Sequence, residues 1–70
     1  MAIAKIWRNR IEAGTQQLSH CPAKYRQMVI FLIQGDIEDG NFTIEQLRAL
    51  VESGMMTEEE YKEIIGEDYE

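Results

Sequence analysis

Apolar residues recur along this chain at helical spacing, and no segment alternates with period two over the length of a strand. Ile3, Ile6, Trp7 and Ile11 share one face of a helix predicted over residues 2–13, with Arg8 and Glu12 as an i,i+4 pair on another face. Gly14 is its natural stop. Residues 15–21 read as a loop, and Pro22 opens a second helix, because its missing N–H costs nothing in a first turn. That helix is predicted over residues 22–38, with Tyr25, Met28, Val29, Leu32, Ile33 and Ile37 inward and Ile30 and Phe31 off the stripe. Gly35 costs its interior about 1 kcal/mol relative to Ala, which admits a break or kink there. Two shorter helices follow. Residues 43–53 turn Ile44, Leu47, Leu50 and Val51 inward, and residues 57–65 turn Tyr61, Ile64 and Ile65 inward. Gly54 and Gly66 end them; residues 67–70 fray, although Tyr69 can fold back. The fold class is an all-α bundle of about four helices.

The starts of the last two helices repeat. Gly40-Asn41-Phe42-Thr43-Ile44-Glu45-Gln46-Leu47 is echoed fourteen positions on by Gly54-Met55-Met56-Thr57-Glu58-Glu59-Glu60-Tyr61. In each copy a Thr is followed three residues later by Gln or Glu, the spacing of a capping box. The Thr hydroxyl takes an orphan N–H and the longer side chain reaches back to the cap. Thr43 with Gln46, and Thr57 with Glu60, are therefore structural caps. Phe42 with Leu47, and Met56 with Tyr61, have hydrophobic-staple spacing. The two helices form a capped hairpin, with Glu58, Glu59 and Glu60 where the helix dipole favours acids.

Seventy residues form one domain near the lower limit for a self-supporting core. The apolar share of 44% is that of a globular chain. A single cysteine, Cys21, excludes an internal disulfide framework. The net charge of −6 is unevenly divided. Residues 1–34 carry Lys5, Arg8, Arg10, Lys24 and Arg26 against Glu12 alone, a balance of +4. Residues 35–70 carry Arg48 and Lys62 against twelve acids, a balance of −10. The halves are expected to attract one another within the fold or between subunits. The apolar run Met28–Ile33 is far short of the ~20 residues that span a bilayer, so no membrane partner is expected. Trp, Arg and Asn near the start argue against a leader peptide, so synthesis in the cytoplasm is expected.

Candidate chemistry is sparse. His20 and Cys21 are adjacent, but no second His or Cys exists to complete a zinc site. Aligning Gly40 with the glycine of a calcium-binding loop puts Gly35, Ile37 and Gln46 at ligand positions, which fails the pattern. The carboxylates near Glu58 and Glu67 sit on a short helix and its tail, with no pocket to shift them. We therefore expect no catalytic residue, metal or cofactor. Lys5, Trp7, Arg8 and Arg10, extended by Lys24 and Arg26, have the ingredients of a nucleic-acid surface. Trp7 lies on the apolar stripe, however, and the net charge opposes a polyanion. Ile30 and Phe31 either meet the first helix or form a protein–protein surface. The candidate interaction surface is Ile30, Phe31, Lys5, Arg8 and Arg10.

The segment Gly40-Asn41-Phe42-Thr43-x-Glu45-Gln46-Leu47, continued by Val51, Gly54, Met56-Thr57, Glu59-Glu60-Tyr61, Glu63-Ile64, Gly66-Glu67 and Tyr69, resembles the XkdX family. Its members are small proteins encoded in the tail region of phages and defective prophages of Gram-positive bacteria. The likeness covers residues 40–69, with residues 25–39 set against the family's first helix and residues 1–24 outside it as a basic extension. Met56 and Ile65 stand where the family has Ile and Thr. A fainter likeness joins the repeat to short helical-hairpin association modules with a Gly-x-Ile-Thr-x-Glu-Glu turn. The resemblance implies a phage setting and offers no catalytic residues. The expected function is a non-enzymatic minor tail-associated or assembly accessory protein that contacts a phage structural protein or a second copy of itself, with the virion as a destination after synthesis. Two alternatives stand beside it. One is an acidic regulator or inhibitor of a host protein, and the other is nucleic-acid binding through the basic N-terminal half.

Overall fold

The structure, a computed structural model, describes residues 3–69. Among these, four α-helices and one 3-10 turn follow one another without a strand. α1 is Ile3–Glu12, the 3-10 turn Leu18–His20, α2 Ala23–Asp39, α3 Ile44–Glu52 and α4 Glu58–Ile65. The all-α expectation holds. The predicted start of the first helix at Ala2 and the end of the tail at Glu70 lie outside the described residues.

α2 is the spine. α1 packs mainly along it, α4 rests on it from another side, and α3 bridges α4 and α1. Ile11, Leu18, Val29, Ile33 and Leu47 are fully enclosed where these elements meet. Leu18, read as a loop residue, is thus a core residue: the 3-10 turn folds it into the common core. Pro22 stands at the cap position of α2, one residue before the helix begins. α2 runs unbroken through Gly35, because the packing of Ile33 and Ile37 on either side outweighs the cost of glycine in the helix.

The repeated segment is a complete stop-and-start unit. Gly40 and Gly54 sit in the left-handed region at φ 82° and 85°, where a Cβ would strain the backbone. The two amides after Gly40, of Asn41 and Phe42, both reach back to the Asp36 carbonyl at 2.8 and 3.2 Å. Fourteen residues on, Met55 and Met56 reach the Leu50 carbonyl at 3.0 and 3.2 Å. Then the caps close. The Gln46 amide donates to Thr43 Oγ1 at 3.1 Å while Gln46 Oε1 accepts the Thr43 amide at 2.9 Å. Glu60 and Thr57 exchange the same pair at 3.0 and 2.8 Å. Phe42, Leu47, Met56 and Tyr61 are all buried beside these caps.

The tail is held rather than loose at Tyr69. Its ring meets Tyr61 edge-on at 5.2 Å, Arg48 lies 4.5 Å over it, and its hydroxyl donates to Glu52 at 3.0 Å.

Candidate interaction surface

The inward face of α2 differs from the one its apolar spacing suggested. Val29, Ile30 and Ile33 are buried, while Tyr25, Leu32 and Ile37 pack at the margin. Because α1 and α4 flank α2 on two sides, the buried arc is wide and takes in Ile30. Ile30 is therefore a core residue, 4% exposed, and leaves the candidate surface. Met28, expected inward, is 60% exposed, and Phe31 is 70% exposed. These two lie three positions apart, close to one helical turn, on the outward face of α2. Ile6 and Ile44, also expected inward, are exposed on α1 and at the head of α3.

The basic residues of α1 do not form one patch. Arg8 is half-buried, and its Nη1 donates to both Asp36 oxygens at 3.2 and 3.1 Å. It was expected to pair with Glu12 on the surface, but the tertiary partner on α2 captures it. Lys5 and Arg10 are exposed, and at 100° per residue they project about 140° apart around α1. Trp7 packs against the core. From the same basic half, Arg26 is engaged by Glu63 and Glu60 of α4, and Lys24 lies 5.1 Å over the Tyr25 ring. Two of the five cations thus join the basic half to the acidic half within the fold.

Glu12 completes the Arg8–Asp36 group. Burial first, and then the hydrogen bond and charge of Asp36, push its carboxyl up to about 8, with Arg8 opposing. Among the described residues, one Glu12 oxygen is buried without a donor. A proton retained on Glu12 and donated to Asp36 accounts for both features. This group clamps α1 to α2. Periodicity could not find it, because its three members come from two elements.

Gln34 also escaped sequence reading. Its Nε2 donates to the carbonyl of Ile64 at 3.1 Å, satisfying an orphan acceptor at the end of α4. Cys21 is buried, and desolvation raises its thiol despite Arg26 nearby. His20 is exposed beside it. Among the described residues, no three His, Cys, Asp or Glu side chains are grouped to hold a metal ion.

The acids at the head of α4 divide by role. Glu60 is buried at 6% exposure in its capping box. Glu58 and Glu59 are exposed and, with Lys62, Asp68 and Tyr69, line an open groove of about 440 Å³. Lys62 and Asp68 bridge across it at 3.1 Å. Among the described residues no helix is long and apolar enough to cross a membrane.

Comparison with known proteins gives one result. Residues 38–69, from the end of α2 through both capped helices to Tyr69, match the family model Phage_XkdX, described as a phage uncharacterised protein. No curated protein and no solved structure matches the chain. The resemblance read from Gly40 to Tyr69 is therefore found by the family model, beginning at residue 38.

Proposed function

From a chain that carries the Phage_XkdX pattern over residues 38–69, we propose a non-enzymatic phage protein that works by protein–protein contact, as an accessory of tail assembly or a minor tail-associated component. The observation that carries this reading is Phe31. A chain of 70 residues has little apolar surface to spare. This one leaves an aromatic ring 70% exposed with Met28 close to a turn away, while it buries the neighbouring Ile30. An apolar pair held out on a well-formed helix favours a partner surface over a core. The ionisable groups drawn together in the fold, Arg8–Asp36 with Glu12 and Arg26 with Glu63, lie between helices and fit a scaffold role.

The test is genetic. Phe31→Glu in a phage carrying this gene should lower the yield of intact tails, counted by electron microscopy, and lower the titre with it. Normal tails and titre from both Phe31→Glu and a deletion of the gene would overturn the reading.

A second reading, an acidic regulator of a host protein, is favoured by the exposed carboxylates Glu58 and Glu59 beside Asp68. Because Glu60 is committed to its cap, the surface available for mimicry is smaller than the run of three acids suggested. Host-protein binding that survives Glu58→Lys with Glu59→Lys would exclude it.

A further inference from the structure

We propose that the partner on the outer face of α2 is a second copy of this chain, docked antiparallel about a two-fold axis that passes at Phe31; this rests on the reading of that face as a contact surface. Lys24, Met28, Phe31, Gly35 and Glu38 are spaced four, three, four and three residues apart, the spacing of a seam along which two helices meet. All but Gly35 are exposed, and Gly35 is half-exposed.

Charge chooses the orientation. With Phe31 opposite Phe31, the antiparallel arrangement brings Lys24 of each copy to Glu38 of the other, at both ends of the seam. A parallel arrangement would set Lys24 against Lys24 and Glu38 against Glu38. Both side chains are exposed in the monomer, and Lys24 lies over the neighbouring Tyr25 ring.

Gly35 supplies an independent observation. It weakens a helix interior, yet the monomer has no steric use for it. Its φ is not in the left-handed region, and among the described residues an added Cβ would meet nothing within 4 Å. In the antiparallel dimer Gly35 faces Gln27 of the other copy, where the missing side chain lets two α2 helices approach closely. Met28 then packs diagonally against the opposing Phe31. The seam spans about four helical turns, which places it among small, reversible interfaces.

Sedimentation equilibrium of the full chain tests this, from about 10 μM to about 1 mM and at about 0.15 M salt so that the −6 charge of each copy is screened. The expected result is a reversible monomer–dimer equilibrium. Phe31→Glu should weaken it by at least about tenfold. Lys24→Glu and Glu38→Lys should each weaken it, and the double variant should restore it, because the swapped charges face each other again. Circular dichroism on every variant checks that the monomer stays folded. A chain that is monomeric throughout overturns the proposal, as does a dimer indifferent to Phe31→Glu. A double variant that fails to recover overturns the antiparallel pairing. A monomeric chain whose Phe31→Glu variant still loses tails would sink the dimer and leave the contact reading standing. A dimer abolished by Phe31→Glu, with normal tails and titre in both that variant and the gene deletion, would leave the dimer standing and sink the tail role.

Discussion

Arg26 of α2 and Glu63 of α4 form a two-pronged pair, with Nη1 donating to Oε2 at 2.8 Å and Nη2 donating to Oε1 at 2.7 Å. The same guanidinium lies 3.9 Å from Glu60, so one cation ties the spine helix to both the cap and the outer turn of α4. The hydrogen bond from Arg26 holds the Glu63 carboxyl below its ordinary range. The folded value being lower, the pair stabilises the fold above the ordinary carboxylate range and is lost as acid protonates Glu63. A double-mutant cycle with Arg26→Ala and Glu63→Ala should give a coupling of about 0.5–1 kcal/mol at neutral pH, the scale of a partly exposed pair. It should fade below the ordinary carboxylate value of 4.5. A coupling of zero at neutral pH, or one that ignores acid, would show that the fork is not held in solution.

The two capping boxes are alike in sequence and unequal in surroundings. Gln46 is exposed, whereas Glu60 is buried at 6% beneath Arg26. Removing a Thr cap costs about 0.5–2 kcal/mol. Thr43→Ala should fall near the lower end. Thr57→Ala should fall near the upper end, because it strips the acceptor from a part-buried Glu60 amide, whereas the Gln46 amide bonded to Thr43 is exposed and can turn to water. Urea titrations that rank the two variants in the opposite order would contradict this account.

The caps were legible because they are local: a Thr, a Gln or Glu three residues on, and a glycine before them complete their hydrogen bonds within one turn. The whole repeat even extends to the carbonyls of Asp36 and Leu50, which accept equivalent amides. What stayed hidden depends on other elements. α2 is apolar almost all round from Met28 to Ile33, so its spacing says little about which side faces in. The positions of α1 and α4 decide, and they enclose Ile30 while leaving Met28 out. Arg8 likewise had a partner at helical spacing in Glu12 and took the more distant Asp36. The charge imbalance between the halves was readable as attraction, but the pairs that realise it were not.

Glu12 makes stability depend on pH in the opposite sense to Glu63. In the unfolded chain it ionises near 4.5, and in the fold it keeps its proton up to about 8. Between those values the unfolded state holds fewer protons, so this group's contribution falls as pH rises, and above about 8 its charge sits beside Asp36. Glu12→Gln keeps a donor toward Asp36 and removes the titration. It should stabilise the protein at pH 9 by about 1–2 kcal/mol, solvent screening having reduced the effect of the full shift, and change little at pH 4. Thermal melts at pH 4, 7 and 9 compare the variant with the parent. A parent whose midpoint stays level across that range in step with Glu12→Gln would mean that the carboxyl ionises normally.

The adjacent residues Ile30 and Phe31 should respond in opposite ways to truncation. Ile30 is enclosed where α2 meets its neighbours, so Ile30→Ala leaves a cavity that a small core cannot close. A loss of about 2–5 kcal/mol is expected, enough to unfold much of a domain this size. Phe31 projects into solvent, so Phe31→Ala should change monomer stability by no more than about 0.5 kcal/mol. The comparison belongs at low protein concentration, where association does not contribute to the stability of either chain. Under those conditions a large loss from Phe31→Ala with little from Ile30→Ala would mean that α2 is rotated about its axis, and the outward surface would then pass to Ile30. The expected order keeps Phe31 free to bind, since its removal costs the fold almost nothing and any loss of function from it must come from a missing contact.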